Sequence, residues 1–294
     1  MTAPADGPGA PGGALVIAAT PIGNTADASP RLVRALEEAD LVAAEDTRRL
    51  HRLCQALGVT PRGRVVSCYE HNEEARAAEV VEAVTAGLTV LLVSDAGMPA
   101  VSDPGYRLVR ACVEHDLRVT VLPGPSAVLS ALALSGLPTD RFTFEGFPRR
   151  KAGERARALA ALRDEQRTMV FFESPHRTAG TLAAMAQVFG DDRPAALCRE
   201  LTKTYEEVRR GPLGVLAAGV AQDEVRGEVC LVVAGRPPRA LGEDEVAAAV
   251  EEVVQRSRSG ERLKDAAAAV AVDTGLGKKL LYDRAIAADA RRRP

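Results

Sequence analysis

From Ala14 onward the chain alternates short apolar runs with longer stretches in which apolar residues recur every three or four positions. The runs ALVIAA, LVAA, RVVSCY, TVLLV and RVTVLP are short and nearly continuous, which predicts strands buried on both faces. Between them SPRLVRALEEAD, DTRRLHRLCQALG, NEEARAAEVVEAVTAG, GYRLVRACVEHD and SAVLSALALSG carry helical spacing with clear ends. Ser29 precedes Pro30 as an N-cap pair, and Gly58 and Gly87 close their helices. Five such β–α repeats predict a mainly parallel sheet covered by helices.

The rhythm breaks at LPTDRFTFEGFPRRK. Beyond it, strands are expected at FTFEG, TMVFFE, AALCREL, YEEVRRG and GEVCLVVAG, with helices near 153–164, 178–189 and 212–218. Strands and helices no longer alternate strictly, so this second sheet should be mixed. GRPPRALGED reads as a linker, and the Ala-rich tail from Glu243 as helical. Within it, ERLKDAAAAVAVDTGLGKKLLYDRAIA has the outline of a helix-turn-helix module; a helical hairpin packed on the body fits the same pattern. The expected organisation is a disordered Pro/Gly/Ala leader over 1–13, α/β domains over 14–123 and 124–236, and a linker with a helical tail over 237–294.

Composition narrows the picture. The 294 residues are 46% hydrophobic but only 3% aromatic, without tryptophan, so the cores must be built from Ala, Val and Leu. The formal net charge of -2 excludes a general polycation, so any nucleic acid must be held by local basic patches. The five cysteines include no C-x-x-C pair, which argues against zinc and a disulfide framework and for reduced thiols in the cytoplasm. No apolar run approaches the roughly 18 residues of a membrane span, and the first residues lack the pattern of a signal peptide.

Candidate chemistry collects where strands end. AATPIGN follows the first strand; it is not G-x-G-x-x-G, which disfavours a nicotinamide enzyme. VLLVSDAGMPAVSDPG runs from a strand into a loop where Asp95 can accept hydrogen bonds from a ligand and Gly97 permits close backbone approach. Asp103, before Pro104 and Gly105, fits either a second ligand-facing carboxylate or the N-cap of the next helix. LPGPSA follows the fifth strand, with Ser126 a helix cap or a ligand contact. All three loops should leave the carboxyl edge of one sheet, where open α/β sheets hold ligands. AEDTRR, CYEHNE, ESPHR and RELTKTYEE place further charged and imidazole groups directly after strands. Cations at a helix start, as at Arg48 and Arg177, are electrostatically unfavourable, and a polyanionic ligand would explain them.

With TPIGN, AEDTR, EHNE, SDAGMPAVSDPG, PGPSA, ESPHR and RELTK in this order, the chain closely resembles the RsmI-type small-subunit ribosomal RNA (cytidine-2′-O)-methyltransferases of the tetrapyrrole methylase superfamily. The resemblance runs from about Ala14 to Gly235, and the tail resembles that family's small helical domain. It implies two α/β domains of the class III methyltransferase type, a homodimer, and S-adenosyl-L-methionine bound in the cleft between the domains. It further implies methylation of a cytidine ribose in the decoding region of 16S ribosomal RNA within the small subunit. By resemblance the cofactor positions are Pro21, Ile22, Gly23, Asp95, Met98, Ser126 and Ala127. Phe172, Leu201, Gly227 and Glu228 are carried over by their places after strands. The catalytic candidates are Glu45, Asp46, His71, Asp95, Glu200 and Lys203, with no role assigned among them. Candidate RNA contacts are Arg48, Arg49, Arg149, Arg150, Lys151, Arg177, Lys278 and Lys279, with Tyr69, Phe147 and Tyr282 available for stacking and Arg291–Arg293 as a further basic run. The rivals are a tetrapyrrole methylase of the same fold and a nucleic-acid-binding protein without catalysis.

Overall fold

The computed structural model describes residues 12–223, 225–237 and 242–290. Most of the expected leader, part of the linker and the arginine run at 291–293 therefore lie outside the described residues. The chain forms two compact units, 1–236 and 237–294.

The larger unit contains two five-stranded sheets. The first holds β1 (Ala14–Ala18), β2 (Leu41–Ala44), β3 (Arg64–Ser67), β4 (Thr89–Val93) and β5 (Val119–Leu122), all parallel, in the order β3-β2-β4-β1-β5. Its helices are α1 (Pro30–Glu38), α2 (Thr47–Leu57), α3 (Glu73–Thr85), α4 (Tyr106–Glu114) and α5 (Ala127–Ser135). The three inner strands are buried on both faces, which is why they read as continuous apolar runs. Strand order reverses between β1 and β4, so the connections leaving these two neighbours diverge and open a crevice at their carboxyl ends.

The second sheet holds β6 (Phe142–Phe144), β7 (Thr168–Glu173), β8 (Pro194–Arg199), β9 (Glu207–Pro212) and β10 (Val229–Val233), in the order β6-β7-β10-β8-β9. Only β6 and β7 pair in parallel, so the sheet is mixed as expected. Its helices are α6 (Ala152–Ala161), α7 (Pro175–Phe189) and α8 (Leu213–Gln222). Side chains alternate between its faces. Met169, Phe171, Leu197 and Leu231 pack with Leu182, Met185, Leu213 and Leu216 of α7 and α8. Val170, Ala196, Cys198 and Val232 pack on the opposite face with Val128, Ala131 and Leu132 of α5, and with Ile22 and Leu201. Helix α5 thus follows a strand of the first sheet and buries its face on the second.

The smaller unit is a three-helix bundle of α9 (Glu243–Arg258), α10 (Leu263–Thr274) and α11 (Lys278–Ala290). Val246, Val250, Val253 and Val254 of α9 meet Ala266, Ala267 and Val270 of α10 and Leu281 and Ala285 of α11. Left-handed Gly275 ends α10 and opens the short turn to α11, the outline expected from the sequence. Among the described residues, no helix is long and apolar enough to cross a membrane.

One sequence expectation is overturned. Asp103 does not cap α4; Gly105 occupies the N-cap position, with no side-chain cap of its own. The cap comes from Glu73, 32 residues earlier in the chain: its buried carboxylate accepts from the Gly105 amide at 2.8 Å and the Arg107 amide at 2.9 Å. An acceptor at a helix start is favourable wherever in the chain it originates. Glu73→Ala should leave both amides without this acceptor and lower stability by about 1–3 kcal/mol, measured by urea denaturation.

Candidate functional site

The loops after β1 and β4 are stitched together over the crevice. The Thr20 amide donates to the Gly97 carbonyl at 2.9 Å, the Gly97 amide returns a bond to Thr20 at 3.1 Å, and the Thr20 hydroxyl donates to the Ser94 carbonyl at 3.2 Å. Gly97 is left-handed, at φ +81°, and so are Ala100 and Ser102 at +67° and +66°. For the two non-glycine residues this conformation costs of order 1 kcal/mol or more each, and such strain clusters at functional loops.

The β1 loop also reaches the second sheet. The Asn24 amide donates to Thr202 Oγ1 at 3.1 Å. A Cβ at Gly23 would lie 2.4 Å from Lys203 Cγ and 3.0 Å from the Leu201 carbonyl oxygen, so this approach admits only glycine. Opposite it, Glu200 and Thr202 are both left-handed. Between these parts lies a small open pocket lined by Ile22, Ala127, Phe172, Cys198, Leu201, Glu228, Val229 and Cys230. Two segments of the first half that are distant in sequence and three strand ends of the second share its walls. Burial pushes the Cys198 thiol up to about 11, and Cys230 higher still.

Of the expected cofactor positions, Ile22, Ala127, Phe172, Leu201 and Glu228 line this pocket directly. Pro21 and Gly23 flank Ile22 in the same loop, and a Cβ at Gly97, beside Met98, would touch Ile22 at 3.4 Å. Gly227 gives room to Glu200: a Cβ there would fall 2.3 Å from the Glu200 carboxyl carbon. Ser126 is the N-cap of α5, accepting from the Leu129 amide at 3.5 Å, and Asp95 is in the β4 loop but not in the pocket lining.

The catalytic candidates divide by what they are already doing. Asp46 caps α2 and binds Arg48, which holds its pKa well below the ordinary range. Glu200 accepts from Lys203 Nζ at 2.8 Å and the Glu228 amide at 2.9 Å, and these bonds depress its pKa. Burial works against the Lys203 charge, but Glu200 and Glu228 more than offset it and raise the pKa. His71 is exposed after β3, the far edge of the sheet, about 14 Å from β1 at three strand spacings. Glu45 and Asp95 form the remaining pair: Glu45 accepts from the Asp95 amide at 3.1 Å, and Asp95 accepts from the Asp46 amide at 3.0 Å with Arg49 at 3.3 Å. Burial raises both pKa values.

Asp103 joins this pair. Burial, with the Glu45 charge next, pushes its carboxyl from 3.8 up to about 7. Arg177, a cation at a helix start, has partners within the protein. It lies 3.3 Å from the buried Glu173 carboxylate and donates to the Pro148 carbonyl, which accounts for it without a polyanion. Arg48, Arg49, Arg149, Arg150 and Lys151 are exposed. In the helical unit, exposed Lys278 and Lys279 meet Lys264 and Tyr282 around a second pocket. No group of three or more His, Cys, Asp or Glu side chains that could hold a metal ion is found among the described residues.

Residues 14–217 match the family Tetrapyrrole (Corrin/Porphyrin) Methylases. The chain belongs to this family. The methylase is 50% identical to a Mycobacterium tuberculosis protein named Ribosomal RNA small subunit methyltransferase I, over 92% of this chain and 94% of that protein. It is 46% identical to the Pseudomonas aeruginosa protein of the same name, over 93% and 97%. Its fold is similar to the crystal structure of uroporphyrin-III C-methyltransferase from Thermus thermophilus complexed with S-adenyl homocysteine, with a TM-score of 0.53 and 20% identity, over 76% of this chain and 97% of that one. The two-sheet α/β architecture expected from the sequence is therefore that of the tetrapyrrole methylases.

Because folding raises the Asp103 pKa, the stability this group contributes is fully present below about pH 4 and is lost as pH rises through about 7. Asp103→Asn, which mimics the protonated acid, should melt higher than the parent methylase at pH 8, with the gap closing toward pH 4; paired thermal melts across this range measure it.

Proposed function

We propose that this methylase transfers the methyl group of S-adenosylmethionine to the ribose 2′-hydroxyl of a cytidine in the decoding region of 16S ribosomal RNA, acting on the small ribosomal subunit in the cytoplasm as a homodimer. The observation that carries the reading is the 50% identity, over nearly the whole of both chains, to proteins named for small-subunit ribosomal RNA methylation. The chemistry of the pocket lining supports the same reading. Ile22, Phe172, Leu201 and Val229 give apolar walls for a purine, Glu228 offers a carboxylate to hydroxyl or ammonium groups, and Gly23 and Gly97 let two backbones close around it.

When bound, S-adenosylmethionine supplies an electrophilic methyl group on a sulfonium. What remains for the protein is to place the hydroxyl in line, exclude competing water and accept a proton. Glu45 and Asp95 suit proton acceptance, since burial holds their pKa values above those of ordinary carboxylates. Lys203, anchored between Glu200 and Glu228, is placed to orient polar groups at the pocket edge. Arg48, Arg49, Arg149, Arg150 and Lys151 supply phosphate contacts from the larger unit, and Lys278 and Lys279 from the helical one. Binding should accordingly weaken steeply with salt. For the homodimer, β5 is an edge strand with an unpaired side and Val121 is 45% exposed. A strand edge of this kind is an association surface, and light scattering should give twice the 31.0 kDa chain mass.

Labelled S-adenosylmethionine offered with small subunits, naked ribosomal RNA and a porphyrinogen should mark only RNA, at one position that resists alkaline cleavage. Label in the porphyrinogen alone would overturn the substrate and keep the fold. Gly23→Ala should weaken donor binding by more than about tenfold in calorimetry, because its methyl collides with the 201–203 turn.

A further inference from the structure

We propose that loop 145–151 is a nucleobase platform, in which Phe147 stacks on an unpaired RNA base beside the methyl acceptor while Arg149 and Arg150 hold the flanking phosphates. This rests on the ribosomal RNA reading above and assigns a binding surface within it. Phe147 is 55% exposed in a chain with few aromatics. Its ring centroid is 5.6 Å from that of Phe172, a wall of the donor pocket, and Phe172 is in turn braced by Phe144 at 4.9 Å. The exposed ring is thus the outer member of a cluster of tilted and edge-to-face aromatic rings whose inner member, Phe172, lines the pocket.

The loop carrying it is held by four hydrogen bonds, to β7, α7 and α6. The Glu145 amide donates to Val170 at 2.9 Å, and the Phe172 amide donates to Gly146 at 3.0 Å. Arg177, anchored on buried Glu173, donates to the Pro148 carbonyl, and Arg155 donates to the Arg150 carbonyl at 3.4 Å. Left-handed Gly146 faces the strained β4 loop, where a Cβ would be 3.9 Å from Ser102 Oγ. Arg149 and Arg150 are exposed, and neither side chain has an ion pair among the described residues; Lys151 is 3.4 Å from Glu154. A rigid loop that exposes one aromatic ring between a methyl-donor pocket and two free guanidiniums has the chemistry of a single-stranded nucleotide site. A protein partner would have no need of the juxtaposition with the pocket.

The test is steady-state methylation of small subunits, with donor affinity measured separately by calorimetry. Phe147→Ala should raise the KM for subunits about 5- to 100-fold, leave donor affinity within twofold and keep the parent salt slope; Phe147→Tyr should restore the KM. The double variant Arg149→Ala/Arg150→Ala should flatten the salt dependence of subunit binding. A Phe147→Ala variant with the parent KM would overturn the platform while leaving the ribosomal reading intact. So would one whose only loss is donor affinity, since Phe147 would then merely prop the pocket wall. Failure of the unsubstituted methylase to label any RNA would remove the reading and the platform together.

Discussion

Helix α5 belongs to both sheets, and the site depends on that shared membership. It follows β5 on the first sheet and buries Val128, Ala131 and Leu132 on the face of the second that carries Val170, Ala196 and Cys198. This apolar contact therefore links two sheets whose edges supply different halves of a pocket. The glycine at position 23 then sets how near the β1 loop can come to the 201–203 turn. Neither half lines this pocket by itself; Ile22 and Ala127 meet Phe172, Leu201 and Glu228 through this packing. Apolar packing is stiff at the scale of a methyl group, so a pocket between two sheets can be as well defined as one within a single core.

The acidic residues show how burial sorts identical chemistry into different tasks. Glu73 and Glu173 are the most buried carboxylates among the described residues, and each makes hydrogen bonds that hold a neighbouring segment: the start of α4 in one case, Arg177 and loop 145–151 in the other. Glu45, Asp95 and Asp103 are less enclosed and less fully bonded, and they repel one another. The first kind positions backbone. The second kind holds protons more tightly than ordinary carboxylates, which is the condition for acid–base work near neutrality.

The sheets were legible because inner strands must be apolar on both faces, and the loops because Gly, Pro and Asp gathered at every strand end. The loops that carry Ile22 and Ala127 stood out because each follows a strand of the parallel sheet, while the residues themselves were singled out by the family resemblance. Long-range pairings could not be read in this way. Nothing local in SDPG shows that Glu73 takes the capping role from Asp103, and nothing in RELTK shows that Glu200 folds over Gly227. The Glu173–Arg177 pair is the exception: its spacing of four was visible, but the buried state of the glutamate was not. Phe147 could be named for stacking from the sequence, but its contact with Phe172 at the pocket wall could not.

Two thiols in the pocket wall carry a chemical consequence. Cys198 and Cys230 lie beside the space we assign to an alkylating sulfonium, and sulfur is the softest nucleophile a protein has. Only the thiolate attacks readily, and burial keeps both groups protonated far above neutral pH. The wall is thereby passivated: it offers polarizable contact to a reactive ligand without becoming its acceptor. The same protection should leave these cysteines silent toward electrophilic labels in the folded protein.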